Sequence, residues 1–172
     1  MQRDFVDWVI ERWSEERPEL DASSIAVVGR LLRIAGLLEQ RFERLCREHG
    51  FSFGAFTVLT ALRRAGAPYH LTPGQLRGAG MVSAAGVTKR ITRLEELGLV
   101  KRLPDPTDRR GTLVGLTERG IELIDRLAER YLEDERAAIA GLDPKEQASL
   151  AELLRTVLLG LEGTRAGPVP RR

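Results

Sequence analysis

Residues 94–117 read LEELGLVKRLPDPTDRRGTLVGLT and combine the end of a helical pattern with two short β-type runs. The runs, 99–103 and 112–116, are rich in branched apolar residues, and the segment between them is dense in proline and aspartate. Gly98 is placed to end the preceding helix. We therefore expect a helix followed directly by a β-hairpin whose basic tip lies at residues 109–111.

Three predicted helices lie before the hairpin, and the last of them ends within this stretch. Ser52 can cap a helix that stops near Gly66, and Thr72 provides an N-cap with a proline at the first helical position after it. Ser83 is the predicted N-cap of the next helix, which runs to Gly98. Helix, turn and helix therefore come in sequence immediately before the hairpin.

Longer amphipathic helices flank this region on both sides. Their apolar stripes are too long to be covered by a small domain's own surface, so we expect them to pack against another long helix. A short helix ended by Pro18 precedes the first of them. The predicted organisation is an extra N-terminal helix (1–18), dimerisation helices (20–48 and 118–162), a compact central domain (50–117) and a flexible tail (163–172).

The composition excludes several classes of protein. A chain of 172 residues with 42% hydrophobic residues can bury one core and is too short for a large multidomain enzyme. Its apolar runs fall short of a membrane span and its N-terminus lacks the features of a secretory signal, so we expect a cytoplasmic protein with no membrane partner. One cysteine, Cys46, with only His49 and His70 makes a multi-ligand zinc site hard to build, and we expect neither metal nor cofactor. The sequence also lacks a nucleophile elbow and a phosphate loop, which argues against an enzyme.

The net charge of +2 conceals an uneven distribution. Residues 63–110 contain ten Lys or Arg and four Asp or Glu, a local charge of +6, which leaves −4 for the rest of the chain. A compact positive region favours a polyanionic partner, because it neutralises phosphates and releases counterions. A solvated charged face is the alternative, and charge alone does not decide between them.

The layout of short helices and a hairpin between long apolar helices resembles the MarR family of dimeric winged helix-turn-helix proteins. Two segments carry the resemblance: LEELGLV at 94–100, and DRRGTLVGLT at 108–117, which agrees with the family pattern D-x-R-x-x-x-V-x-L-T. The resemblance covers nearly the whole chain. It implies a mainly α fold with a small β-wing, a homodimer, and binding to double-stranded DNA at a pseudo-palindromic operator, with nucleoid association when bound.

The helix after Ser83 is predicted to have an inward apolar face and an outward face on which Lys89 and Arg93 stand at i, i+4 spacing. A helix fits the major groove of B-DNA, where such side chains can reach base edges. The candidates for base readout are Ser83, Ala84, Thr88, Lys89 and Arg93.

Other residues are expected to contact the DNA backbone or the minor groove. Thr72 and Gln75 are placed to touch phosphates, and Arg109 and Arg110 at the wing tip suit the negative potential of a narrow minor groove. The resemblance implies that Asp108 holds Arg110 in place. The alternative for Lys89, Arg93 and the wing arginines is that they are ordinary solvated charges.

The N-terminal extension resembles the branch of the family that includes urate-responsive and aconitate-responsive regulators. In the urate-responsive members a tryptophan, an aspartate and two arginines form the ligand pocket, and the matching positions here are Trp13, Thr57, Arg90 and Arg102. Thr57 departs from that pattern, because it cannot supply the carboxylate that would receive a purine N–H. The resemblance therefore implies a small anionic metabolite of the carboxylate type in place of urate.

Three of these positions have alternative roles. Arg90 is predicted on the inward side of its helix, where it either binds a carboxylate ligand or forms a structural salt bridge with Glu11 or Glu15. Arg102 can bind the ligand or a phosphate. Trp13 can contact the ligand or anchor the extra helix in the core, and these two roles are compatible.

Together these features predict a sequence-specific DNA-binding transcriptional regulator, a repressor released by an anionic ligand. The alternatives are a winged-helix dimer that binds an acidic protein partner, and a ligand-independent regulator or activator. An oxidation sensor at Cys46 is disfavoured, because the C-terminal end of a helix raises a thiol's pKa and the chain has no second cysteine.

Overall fold

A computed structural model describes residues 3–79, 86–108 and 110–163. The chain divides into two compact units, with the boundary between Phe53 and Gly54.

The first unit contains α1 (Phe5–Glu16) and α2 (Ile25–Arg47). Asp4 caps α1, and its carboxylate accepts backbone N–H bonds from Val6 and Asp7. The two helices pack through Val6 and Gly29; a Cβ built on Gly29 would lie 3.1 Å from Val6 Cγ1. Arg30 of α2 forms ion pairs with the same end of α1: its Nε lies 2.8 Å from Asp4 Oδ2 and its Nη2 lies 2.6 Å from Asp7 Oδ1.

The second unit carries the helix-turn-helix and the wing. Its elements are α3 (Phe53–Arg64), which starts at the unit boundary, β1 (His70–Leu71), α4 (Pro73–Ala79), α5 (Val87–Glu96), β2 (Val100–Pro104), β3 (Thr112–Leu116), α6 (Glu118–Ala138) and α7 (Pro144–Glu162).

The wing is a three-stranded antiparallel sheet with strand order β1-β3-β2. The sequence predicted a two-stranded hairpin, and the third strand is the short extended piece before α4. His70 of β1 lies opposite Gly115 of β3, and a Cβ on Gly115 would come 2.3 Å from His70 Cδ2. The absence of a side chain at Gly115 therefore allows this pairing.

The core of the second unit lies between the short helices, the sheet and α6. Leu59 and Leu62 of α3, Leu94 of α5 and Val114 of β3 are fully buried, and Ile124 of α6 is 1% exposed. These residues recur at helical or strand spacing, which explains why the pattern predicted the elements. Buried aliphatic side chains of this kind dominate the stability of such a domain.

The element boundaries can be compared with the sequence prediction where the structure describes the residues. Gly86 adopts a left-handed conformation (φ 78°) and directly precedes Val87, the first residue of α5, while the predicted N-cap at Ser83 lies outside the described residues. Helix α6 ends at Ala138, before Gly141. Helix α7 starts with a capping box: the Asp143 carboxylate accepts from the N–H groups of Lys145 and Glu146, and the Glu146 carboxylate accepts from the Asp143 N–H. Residues 164–172 of the predicted tail lie outside the described residues.

Candidate nucleic-acid interface and ligand-binding residues

Helix α5 has the two faces that a DNA-reading helix needs. Val87, Ile91 and Leu94 are buried, whereas Thr88 and Lys89 are exposed. The buried side chains fix the helix on the domain and leave the polar side chains outside. The helix can therefore present donors to a groove without losing its own packing.

Arg93 shares the outward face and lies 3.2 Å (Nη1 to Oε2) from Glu96 one turn later. Both side chains of this pair are exposed, so the ion pair contributes little to the stability of the fold. Ser83 and Ala84, the other two predicted readout residues, lie outside the described residues.

Thr72 and Gln75 form a reciprocal cap at the start of α4. The Thr72 N–H donates to Gln75 Oε1 at 2.8 Å, and the Gln75 N–H donates to Thr72 Oγ1 at 3.1 Å. A threonine hydroxyl that accepts one bond still has a proton to donate, which suits a phosphate oxygen. The structure thus brings these two predicted phosphate contacts together.

The turn of the wing is held by aspartates. Asp108 accepts a 2.9 Å hydrogen bond from the backbone N–H of Arg110, so its support acts on the main chain. Asp105 accepts from both the N–H and the hydroxyl of Thr107, and these bonds, the hydroxyl's first, lower the pKa of its carboxyl. The Arg110 side chain is exposed beyond this turn, and Arg109 lies outside the described residues.

Thr57 and Arg90, two of the four predicted ligand residues, meet at the first turn of α3. Thr57 is 8% exposed, and its hydroxyl donates to the carbonyl of Gly54 at 2.8 Å. Arg90 is half-buried and reaches from α5 to the same glycine: a Cβ on Gly54 would lie 2.6 Å from Arg90 Cζ and Nε. The prediction that Arg90 lies on the inward side of α5 is therefore confirmed.

Arg102, the third ligand candidate, is held by α5. Its Nη1 lies 2.9 Å from Glu95 Oε2, and its Nη2 donates to Thr92 Oγ1 at 3.1 Å. The guanidinium therefore braces β2 against the recognition helix.

Trp13, the fourth, belongs to the first unit and is 45% exposed, so the prediction that it anchors α1 in the core is wrong. Val6 has that packing role. The acidic residues considered as partners of Arg90 have partners on their own side: Glu11 binds Arg3 at 2.7 Å and Glu15 binds Arg12 at 2.6 Å.

Gly54 is not among the site residues predicted from the sequence. The signal that could have found it is spacing, because Gly54 lies three residues before Thr57 and therefore on the same face of α3.

Within the described ranges, no group of three or more His, Cys, Asp or Glu side chains is placed to hold a metal ion. Cys46 is buried and unpaired with any other cysteine, and burial, with a smaller contribution from Glu43, raises its pKa to about 12. Of the helices described, none is long and apolar enough to cross a membrane.

A helix-turn-helix joined to a three-stranded wing, with an exposed basic face on the second helix, defines a winged helix-turn-helix protein. Comparison with known proteins places it more narrowly. Residues 49–111 match the sequence model of the MarR family. The transcriptional regulator PecS of Dickeya dadantii is 34% identical over 149 residues, covering 87% of this chain and 90% of that protein.

Two solved structures are similar in fold and sequence. Sco3205, a MarR family transcriptional regulator from Streptomyces coelicolor solved in complex with DNA, has a TM-score of 0.74 at 30% identity, covering 86% of this chain and 92% of that one. BpsR from Bordetella bronchiseptica, whose DNA binding is regulated by 6-hydroxynicotinic acid, has a TM-score of 0.68 at 27% identity, covering 80% and 96%.

The chain belongs to the MarR family. It is a DNA-binding transcriptional regulator of that family and not an enzyme.

Proposed function

We propose that this regulator is a cytoplasmic homodimeric repressor that holds a pseudo-palindromic operator and releases it when a small carboxylate-type ligand binds. The observation that carries the proposal is the division of α5 into a buried face and an outward face with Thr88, Lys89 and Arg93. Each subunit offers this helix to one half-site, within a DNA-binding domain that spans about residues 50–117.

The contacts divide into base readout and backbone positioning. Lys89 and Arg93 donate to guanine acceptors, and Thr88 meets a thymine methyl. Ser83 and Ala84 precede them along the chain and contribute to the same readout. Thr72 and Gln75 bind phosphate through the start of α4, while Arg109 and Arg110 enter the minor groove from the wing.

Dimerisation is supported by apolar faces that a single chain leaves uncovered. Helix α7 buries none of its residues, and even its leucines are exposed: Leu153 is 66% and Leu158 is 53% exposed. In α2, Leu32 is 71% exposed. Faces of this kind on long helices are stabilised by a second copy, and two-fold symmetry of the dimer matches a two-fold operator.

The ligand proposal rests on Arg90, a half-buried guanidinium on the inward side of the DNA-reading helix. Guanidinium binds carboxylates through two parallel hydrogen bonds, so an acid that engages Arg90 pulls directly on α5. Thr57 adds a hydroxyl at the same place, and Trp13 and Arg102 complete the proposed set. The regulation of BpsR by 6-hydroxynicotinic acid, itself a carboxylic acid, supports this ligand class.

The experiment is a titration of the fragment upstream of the protein's own gene, at constant ionic strength, with 6-hydroxynicotinate, citrate, trans-aconitate or urate added. We expect specific binding that at least one carboxylate weakens and urate does not; a coupling free energy of about 1–3 kcal/mol is typical. Arg90→Ala should still bind the operator specifically and lose the response to the ligand. An unchanged response in Arg90→Ala would overturn the ligand assignment.

Repeating the titration at several salt concentrations and with DNA of unrelated sequence separates DNA binding from the alternative of an acidic protein partner. Binding to DNA weakens steeply with salt and keeps a sequence preference, because phosphate contacts release counterions while base contacts discriminate. Absence of any preferred sequence would reject the DNA-reading assignment of α5.

A further inference from the structure

The geometry points to Gly54 as a positioning residue: because it has no side chain, the guanidinium of Arg90 can lie on α3, and this contact sets how the recognition helix α5 is seated. The effect on operator binding rests on the proposed function. The contact between Gly54 and Arg90 does not depend on which ligand Arg90 binds.

In its present position the Arg90 guanidinium leaves no room for a side chain at position 54. A Cβ on Gly54 would lie 2.6 Å from Arg90 Cζ, 2.6 Å from Nε and 2.8 Å from Nη2. All three atoms belong to the planar group at the far end of the arginine. Carbon atoms in contact are normally about 3.5–4.0 Å apart, so a methyl group at position 54 displaces the guanidinium by about an ångström.

The arginine is the part that moves, because α3 is fixed. Phe56 and Leu59 in the first turns of α3 are 2% and 0% exposed, and the Thr57 hydroxyl bonds the Gly54 carbonyl at 2.8 Å. The packed helix cannot shift without disturbing the core. A long flexible side chain can change rotamer at far lower cost.

Displacement of Arg90 acts on the DNA-reading end of α5. Ile91 and Leu94 are 2% and 0% exposed and hold the following turn in the core. Lys89, on the outward face, is the residue immediately before Arg90. A change in how Arg90 is seated therefore changes how Lys89 is presented, while the core contacts remain.

The simpler interpretation is that Gly54 is an ordinary helical position. In that case alanine, a better helix former than glycine, is tolerated and has no effect on DNA binding. Gly78 provides the matched control, because it lies in α4 of the same unit and a Cβ built there meets no other described residue within 4 Å beyond its own helix backbone and chain neighbours.

The test is a double-mutant cycle on operator affinity with Gly54→Ala, Arg90→Ala and the double variant of the full-length protein. We expect Gly54→Ala to change the Kd by about twofold or more, and to change it by less than that when Arg90 is already alanine. Gly78→Ala should leave the Kd unchanged. An equal effect of Gly54→Ala in both backgrounds, or none in the wild-type background, overturns the inference.

A second measurement does not depend on DNA. In the free protein labelled with ¹⁵N, the Nε–Hε resonance of Arg90, assigned by its loss in Arg90→Ala, should move in Gly54→Ala and stay in place in Gly78→Ala. If the wild-type protein binds no specific DNA, the proposed function fails, and this resonance still decides the positioning role. A resonance that Gly54→Ala leaves unmoved rejects that role.

Discussion

Arg102 on β2 and Glu95 on α5 form a salt bridge in which Nη1 lies 2.9 Å from Oε2. The same guanidinium donates to Thr92 on α5. One side chain of the wing therefore holds two positions of the recognition helix, and a ligand that uses Arg102 has to compete with Glu95.

Removing this brace should weaken operator binding modestly, because both partners are partly exposed. We expect Glu95→Gln and Arg102→Gln each to raise the Kd by about two- to fivefold, the range typical of exposed ion pairs. The double variant should bind about as well as either single variant. Glu152→Gln, which removes an exposed ion pair with Arg155 on α7, is the control. Additive losses in the double variant would show that the two residues act separately.

Lys89→Ala and Arg110→Ala should have different signatures on DNA. Loss of a base contact at Lys89 should relax the preference at one half-site position by about 1–3 kcal/mol. Loss of Arg110 should weaken all sequences alike and reduce the slope of log Kd against log salt by about 1. Competition assays with half-site variants at several salt concentrations measure both quantities. A uniform loss for Lys89→Ala would contradict its role in readout.

Acid should release α1 through Asp4 and Asp7. Partial desolvation raises the pKa of Asp4, but the backbone bond from Asp7 and the Arg30 guanidinium outweigh it and lower that pKa. The pKa of Asp7 is lowered by the Asp4 backbone bond and then by Arg30. Both carboxyls thus stabilise the fold above their unfolded pKa of about 3.9, and this contribution is lost as the pH falls below about 4.

Tryptophan fluorescence measures this transition directly, because both tryptophans, Trp8 and Trp13, lie in α1. Arg30→Gln should shift the acid midpoint of the fluorescence change to higher pH. Arg12→Gln, which removes an ion pair within α1, should leave it in place. Equal midpoints for the Arg30 variant and the wild type would mean that the ion pairs of Arg30 with Asp4 and Asp7 do not hold α1 in place.

Gly120→Ala should destabilise the protein by roughly 1–3 kcal/mol, the usual cost of forcing an added group into a packed site. A Cβ there would lie 2.1 Å from the carbonyl oxygen of Leu99, which is backbone and cannot rotate away. Thermal or urea unfolding measures the effect. Gly78→Ala, with open space around it, should be neutral or stabilising by up to about 1 kcal/mol. A wild-type midpoint for Gly120→Ala would mean that α6 and Leu99 can separate without cost.

Cys46 should be inert to oxidants and thiol reagents. With its pKa raised from 9.0 to about 12 by burial, its thiolate fraction at pH 8 is roughly a thousandfold below that of a free thiol. We expect slow reaction with a chromogenic disulfide in the native protein and fast reaction in denaturant. Peroxide should affect DNA binding of the wild type and Cys46→Ala alike. A peroxide response that Cys46→Ala abolishes would establish a sensor.

The elements could be predicted where apolar spacing and capping residues agreed. Gly98 follows the end of α5 as expected, and Thr117 and Asp143 cap the two helices after the wing, because such conformations and side-chain bonds are local properties of the sequence. The left-handed conformation of Gly86, directly before α5, could not be predicted, since glycine adopts positive and negative φ angles with similar ease.

Contacts between distant residues were the part that sequence could not supply. The pairing of His70 with Gly115 and the seating of Arg90 on Gly54 each join residues more than thirty positions apart, and each requires a glycine that has no local turn to explain it. The sequence indicated correctly that Arg90 turns inward, because helical spacing decides that. It could not indicate that Gly54 of α3 is the residue that Arg90 contacts.

Helix α7 buries none of its 19 residues within its own chain. A newly made subunit that has not met another copy thus displays a long apolar helix to cellular proteases and chaperones. Association protects it by mass action, so the fraction of intact protein depends on how many copies the cell holds. Gene dosage and turnover would then set the strength of regulation alongside the ligand, and dilution of the protein during growth would itself lower operator occupancy.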